Sequence, residues 1–349
     1  MMRRYQQGVA VITVLLMVAL ATITVVAMTG QQRLDIRRAA NQQSLQQARA
    51  LALGGEKFAA ATLMRDKTNN LTAKIDTLGE DWAQSLPPLP VDQSTIKGCI
   101  FDMQGRFNLN NLVTGAGAID PLYYGQLQRL LTALAINASK AEAIADWLDQ
   151  DSETTGSEGA EETYYSGLDV PYRPANRAMV SISELKLVKG FNPANEDEMA
   201  DLKVLLPHVA ALPGVTMVNV NTATSAVIAS IDERLKEKAD ELTRWDDDSW
   251  EKYPDCEDVL DVAELVESVA AQSEGGEREP YASVPEFLAD TTLPAEETEA
   301  LAGLLTVSSE FFRIRVDVST GETGVAQFTL VRRLDQGASE VLQRSRQVF

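Results

Sequence analysis

The sequence predicts an α+β protein in which a long N-terminal helix and a small antiparallel sheet are interrupted by a large acidic all-α domain. Three observations lead to this prediction. Residues 9–29 form an apolar run without a single charge. Residues 306–349 contain two alternating segments around a glycine-rich turn, which is typical of a β-hairpin. The region between these ends holds the excess of negative charge.

The apolar run is long enough to cross a membrane as a helix. At 1.5 Å per residue it spans about 31 Å, and a hydrocarbon core is roughly 30 Å thick. A helical pattern continues beyond it, so we predict one helix over residues 9–64. Arg3 and Arg4 favour a cytoplasmic N-terminus and a single-pass anchor, with the bulk of the chain outside the cytoplasm.

Residues 1–8 read as a short basic leader that ends in Gly8 and precedes the apolar run. A secretory signal peptide is instead cut after its apolar segment. Two interpretations follow: an uncleaved signal anchor, or a leader that resembles those of pilins, which are cut after the glycine. The fifth residue after Gly8 is Thr13, where pilins carry glutamate. A carboxylate in that apolar setting needs a partner from a neighbouring subunit, so a chain with Thr13 has less need of one.

Charge divides the chain into parts. Residues 111–305 carry a net charge of −25, whereas residues 1–110 carry +4 and residues 306–349 carry +1. We therefore predict that residues 111–305 form an inserted domain, and that residues 65–110 and 306–349 belong to one α+β domain. The acidity argues against nucleic acid as a partner, since phosphate binding needs a basic surface.

Strands are predicted on both sides of the insertion. Residues 99–103 form one strand, and residues 311–319 and 325–333 form the hairpin. Period-two alternation predicts that four apolar side chains of the hairpin share one face: Phe312, Ile314, Val316 and Val318. The proline-rich residues 65–96 are predicted to form a loop.

Helices are predicted inside the insertion, over residues 121–149 and 195–206. Ser181 and Glu184 form a capping-box pattern. A weak internal repeat relates residues 106–111 to residues 217–222, each with apolar residues and asparagines in alternation before a helix. We interpret it as two related helical units.

Eight acidic residues and no Lys or Arg lie between positions 146 and 169. Such a loop binds a hard cation or is compensated by solvent, and composition leaves both alternatives open. An EF-hand does not fit, because Thr154 and Ala160 stand at its sixth and twelfth positions counted from Asp149. A second acidic run, residues 246–261, is a weaker candidate.

The chain has two cysteines, Cys99 and Cys256, and one histidine, His208. The cysteines form either a disulfide or two separate buried thiols. His208 lies among apolar residues and prolines, which predicts a structural role. No Gly-x-Ser-x-Gly turn or Cys/His pair with catalytic spacing occurs, so we do not expect an enzyme.

Several segments together resemble the type II secretion system protein K family, the large minor pseudopilins. They are the leader with residues 9–16, residues 104–112, residues 146–177 with 181–190, residues 218–224 and the terminal hairpin. The likeness covers nearly the whole chain, in family order. Thr13 also fits, because this family lacks the fifth-position glutamate.

The resemblance implies a pilin-like fold with a helical insertion and a role at the tip of the secretion pseudopilus. It implies cleavage by prepilin peptidase after Gly8, methylation of Val9, and a calcium site in the insertion. Its implied partners are the minor pseudopilins I and J, the major pseudopilin and the inner-membrane secretion platform. Matching ligand candidates are Asp149, Asp151, Glu158, Glu161, Glu162, Asp169 and Asn176.

The alternative function is that of an anchored periplasmic protein that binds calcium or cargo and has no role in a filament. Both functions place the chain in the inner membrane, with most of it in the periplasm.

Overall fold

The computed structural model describes residues 7–69, 74–84, 86–244, 279–321, 323–334 and 338–348. The main helices are α1 (Gln7–Thr68), α2 (Pro121–Ala133), α3 (Lys140–Leu148), α4 (Glu162–Ser166), α5 (Glu196–Leu205), α6 (Ser225–Ile231), α7 (Ala239–Leu242), α8 (Val284–Thr291) and α9 (Ala295–Ala302). The strands are β1 (Leu86–Val91), β2 (Ser94–Asp102), β3 (Phe107–Asn108), β4 (Val209–Ala210), β5 (Val218–Asn219), β6 (Leu305–Thr306), β7 (Phe311–Thr320), β8 (Thr323–Arg333) and β9 (Ser339–Val348).

The helix α1 confirms the predicted long N-terminal helix and continues through Gly30, Gly54 and Gly55. Its N-terminal half is apolar, and the side chains of residues 11–28 are exposed. By length and composition this is the one helix among the described residues that could span a membrane.

Five antiparallel strands form the sheet in the order β1-β2-β7-β8-β9. As predicted, Phe312, Ile314, Val316 and Val318 share one face, which packs on the C-terminal half of α1. Gly55 permits this close approach, since a Cβ there would lie 2.8 Å from Val316 Cγ1. The sheet and α1 thus enclose one hydrophobic core.

A buried carboxylate ties α1 to the same sheet face. Glu56 is 3% exposed. It accepts hydrogen bonds from Gln327 Nε2, Thr329 Oγ1 and Arg344 Nε, each at 2.7 Å. Burial raises the pKa of Glu56, but the bonds from Arg344 and Thr329 outweigh it and hold the pKa below its usual value. Three donors on two strands therefore fix the rotation of α1 against the sheet.

Two local predictions were wrong. The expected loop over residues 65–96 contains β1, whose prolines are tolerated because it is an edge strand. The expected helix over residues 121–149 is two helices, α2 and α3. Ala135 between them has a left-handed backbone, with φ of 57°, which a continuous helix does not permit.

The insertion has its own hydrophobic core, which runs from Phe107 to Leu305 and so begins slightly before position 111. It is helical apart from two short parallel pairs, β3 with β4 and β5 with β6. The first strand of each pair, β3 or β5, begins one of the two units that the repeat predicts. The side chain of Asn110 exchanges hydrogen bonds with the backbone of Met179, and that of Asn221 does the same with Tyr281. The repeat is confirmed.

The insertion meets the sheet at the C-terminal end of α1. Arg333 of β8 binds Asp66 of α1 at 2.8 Å and also binds Asp76. The buried Asp102 at the end of β2 accepts bonds from Ser309 Oγ at 2.7 Å and from Asn219 Nδ2 at 3.2 Å. Because α1 carries its apolar half at the other end, the insertion lies far from that half.

We predict that Glu56→Ala lowers the free energy of unfolding by about 3 kcal/mol, because two buried donors lose their acceptor. Chemical denaturation monitored by circular dichroism measures this. Arg332→Ala is the control, because it removes only the exposed pair with Glu310 and should cost less than about 1 kcal/mol. Equal losses in the two variants would contradict the assigned role of Glu56.

Candidate cation site

The acidic loop of the first helical unit brings three of the predicted ligands together. Asp149 follows α3, Asp151 lies two residues further, and Glu161 precedes α4. One carboxylate oxygen from each lies within 4.8 Å of the others. Among the described residues, no Lys or Arg forms an ion pair with any of the three.

Two of the three carboxylates are buried with oxygens that have no partner, whereas Asp151 is exposed and accepts a bond from the Glu153 nitrogen at 2.8 Å. Asp149 is 1% exposed and Glu161 is 5% exposed. Asp149 Oδ1 and both carboxylate oxygens of Glu161 have no hydrogen-bond donor, and neither does Asn176 Oδ1. A buried carboxylate without a partner is costly, so these atoms are candidates to bind a cation.

Asn176 is held by the loop itself. Its Nδ2 donates to the backbone oxygen of Asp151 at 2.9 Å, and its backbone has a left-handed φ of 43°. Asparagine tolerates that conformation better than most residues. The amide oxygen is thereby left over as a fourth oxygen donor beside the three carboxylates.

Asp146 organises the loop rather than adding a ligand. Its two carboxylate oxygens accept bonds from the backbone nitrogens of Thr155, at 2.9 Å, and Ala160, at 2.7 Å. Gly159 packs against the same carboxylate, where a Cβ would collide with it. These contacts fold the loop back and bring Glu161 to Asp149.

The remaining predicted ligands lie elsewhere in the loop. Glu158 pairs with Lys189 at 3.3 Å, and Glu162 pairs with Arg173 at 3.1 Å. Asp169 is exposed. Their charges therefore belong to the loop surface in this arrangement, outside the buried group of oxygens.

The pKa values of the two buried carboxylates are raised. Burial, and then the charges of Asp151 and Asp146, raise the pKa of Asp149 to about 7. Burial, followed by Asp146 and Asp149, likewise raises the pKa of Glu161 to about 7. Each carboxylate would be stabilised in its charged form by a cation between them.

The donor set fits calcium. Calcium takes six to eight oxygens from carboxylates, amides, carbonyls and water, and it accepts irregular geometry. Asp149, Asp151, Glu161 and Asn176 supply four side-chain oxygens, which leaves the remaining positions to backbone carbonyls or water. All four donors are oxygens, with no thiolate or imidazole, as a hard cation requires.

A second group of acids arises from the fold, and sequence reasoning did not find it. Asp66, Asp76 and Glu80 also approach within 4.8 Å of one another. Here Arg333 supplies the positive charge, and Glu80 accepts bonds from Trp82 Nε1 and the Thr77 nitrogen. Arg333 thus compensates Asp66 and Asp76 within the chain, whereas burial raises the pKa of Glu80 to about 7.

The other predicted residues do not join the acidic site. His208 is structural, as predicted: its Nδ1 lies 2.8 Å from Thr224 Oγ1, and burial lowers its pKa to about 4. Cys99 is buried in β2 and is not a free thiol. Cys256 and residues 246–261 lie outside the described residues, so the Cys99–Cys256 pairing stays a prediction. Gly8 and Val9 lie in the first turn of α1.

Comparison with known proteins gives consistent results. The family model described as type II secretion system (T2SS), protein K, matches residues 105–214, which include the acidic loop. A type II secretion system protein K of Pseudomonas aeruginosa is 42% identical over 239 residues, covering 66% of this chain and 69% of that protein. One of Pectobacterium carotovorum is 30% identical over 358 residues, covering 98% and 97%.

A solved structure has the same fold. It is a chain of the crystal structure of the GspK–GspI–GspJ complex from the type 2 secretion system of enterotoxigenic Escherichia coli. The TM-score is 0.67 at 24% identity, and the match covers 89% of this chain and 99% of that one. The fold of the matched part of this chain therefore also occurs in a solved structure.

Proposed function

Because the chain belongs to the type II secretion system protein K family, we propose that it is the minor pseudopilin at the tip of the secretion pseudopilus. In this role it joins the minor pseudopilins I and J in a capping complex and helps to export folded proteins across the outer membrane. Before assembly it lies in the inner membrane, with its bulk in the periplasm. The secretion platform and the major pseudopilin are its further partners. The solved complex of a structural relative supports the choice of partners.

One observation carries the tip position: the insertion lies at the end of α1 opposite the apolar half. A filament of this type packs the apolar helices of its subunits in its core and places their periplasmic domains around that core. An insertion of almost 200 residues beyond the C-terminal end of α1 would collide with a subunit above it. It has room only where no subunit follows.

The other end of the molecule supports the same position. Thr13 Oγ1 donates to the backbone oxygen of Ala10 at 2.9 Å, so its hydroxyl is satisfied inside its own helix. A glutamate there would need a positive partner from another subunit. Thr13 makes no such demand, which suits a subunit that is first in the filament.

The tip role predicts a three-way complex with the periplasmic domains of the minor pseudopilins I and J. Size-exclusion chromatography with light scattering should give one species with the mass of all three chains. A monomer of this chain in the presence of both partners would contradict the tip role and favour the alternative of an anchored calcium- or cargo-binding protein.

Processing at Gly8 gives a second prediction. Prepilin peptidase would remove residues 1–8 and leave a methylated Val9, so Gly8→Ala should accumulate the precursor and abolish secretion. Intact mass spectrometry of the membrane-extracted protein measures the removal of residues 1–8 and the methylation of Val9. The same mass shows the loss of two hydrogens if Cys99 and Cys256 are bonded. A wild-type protein that keeps Met1 would contradict the proposed processing.

We further propose that calcium binds Asp149, Asp151, Glu161 and Asn176 and stabilises the insertion. Millimolar calcium should raise the melting temperature by about 5 °C, and a chelator should reverse it. Glu161→Gln should abolish the shift, whereas the control Glu158→Gln, whose carboxylate pairs with Lys189, should retain it. A melting temperature that calcium does not change at pH 8 would contradict the site.

The calcium effect should also depend on pH. With pKa values of about 7, Asp149 and Glu161 favour folding below the unfolded pKa near 4, and this contribution is lost as pH rises through 7. Calcium offsets that loss and competes with fewer protons at high pH. Its shift in melting temperature should therefore be larger at pH 8 than at pH 5.5.

A further inference from the structure

We propose that Arg33, Arg37 and Arg38 of α1 form a binding stripe for the phosphates of anionic phospholipids while the chain is in the membrane. This inference rests on the proposed membrane insertion of residues 9–29, and it adds a lipid partner to that proposal. The stripe lies on the first turns of α1 that follow the apolar half.

The spacing places the stripe at the membrane surface. Arg33 is the first charged residue after the apolar run. It lies about 6 Å along the helix from Thr29, and Arg37 and Arg38 lie about 12–14 Å from it. The headgroup layer is about 5–8 Å thick on each side. Side chains of a helix lean toward its N-terminus, so these arginines point back toward the membrane, and their long stems extend that reach.

The stripe is available to an external partner. All three arginines are exposed in the structure. Arg38 has a weak pair with Asp35, with atoms 3.6 Å apart and side chains 79% and 63% exposed. Among the described residues, Arg33 and Arg37 form no ion pair. Since Arg33 and Arg37 are four residues apart, their guanidinium groups lie on one side of the helix.

The chemistry of the stripe favours phosphate. A guanidinium group donates two parallel hydrogen bonds to a phosphate and stays charged at any physiological pH. Between the arginines lie two exposed apolar residues, Leu34 and Ile36, and Asp35 is the one acid within the stripe. By charge count these three arginines oppose the orientation that Arg3 and Arg4 favour, so the positive-inside rule does not explain them.

Native mass spectrometry of the full-length chain in detergent tests the inference. Phosphatidylglycerol and phosphatidylcholine are titrated in competition, and the lipid retained per chain is counted. Each arginine near an anionic surface contributes about five-fold in affinity, so the wild-type protein should prefer phosphatidylglycerol at least about tenfold. The triple variant R33Q/R37Q/R38Q should bind the two lipids about equally.

The matched control is R49Q/K57Q/R65Q, which removes three exposed positive charges from the same helix, about 30–54 Å beyond Thr29. It should keep the preference for phosphatidylglycerol. A preference retained by the stripe variant, or lost equally in the control, would overturn the inference. So would a stripe variant that keeps its lipid preference but no longer co-purifies with the minor pseudopilins, since the arginines would then contact protein.

Carbonate extraction of membranes separates this inference from the function on which it rests. A wild-type chain released by carbonate is not inserted, and both proposals fail. A chain that stays in the membrane but shows no lipid preference overturns the stripe alone. Circular dichroism of each variant confirms that the helix is intact.

Discussion

The position of the insertion depends on the buried side chain of Arg333, which joins three parts of the chain. It binds Asp66 from α1 and Asp76 from the segment before the sheet, and it donates to the backbone oxygen of Ser309 at 2.8 Å. The Ser309 hydroxyl then donates to Asp102 at the end of β2. Removing charges from water is costly, so the network contributes geometry more than net stability. It fixes the position of the insertion relative to the C-terminal end of α1.

The molecule has two large hydrophobic cores, and the contacts between the two cores set their relative orientation. One core lies between α1 and the sheet, and the other fills the insertion. A small apolar cluster of Phe101, Met103 and Phe311 with Ala210 and Leu212 connects them. Apolar contact alone tolerates sliding, whereas Asn219, which donates to Asp102 and to the Asp76 carbonyl at 3.1 Å, does not. The polar network therefore gives the insertion one orientation.

Periodicity predicted α1 and the hairpin of β7 and β8, whose patterns are local, and short motifs predicted the cap at Ser181 and the repeat of Asn110 and Asn221. It failed where tertiary packing decides: the edge strand β1, formed by a proline-rich segment, and the break at Ala135. For the site, composition identified the acidic loop and a set of ligands. It could not separate Glu161 from Glu158, because a lysine 31 residues away in the chain pairs with one of them and not with the other.

The same distinction explains how a loop with so many acids can fold. Lys189 and Arg173 compensate Glu158 and Glu162, and backbone nitrogens compensate Asp146. What remains is the set of buried Asp149 and Glu161 with the exposed Asp151, beside an asparagine oxygen that lacks a donor. Because these residues join the end of α3 to the start of α4, a cation between them would close the loop as a covalent link would.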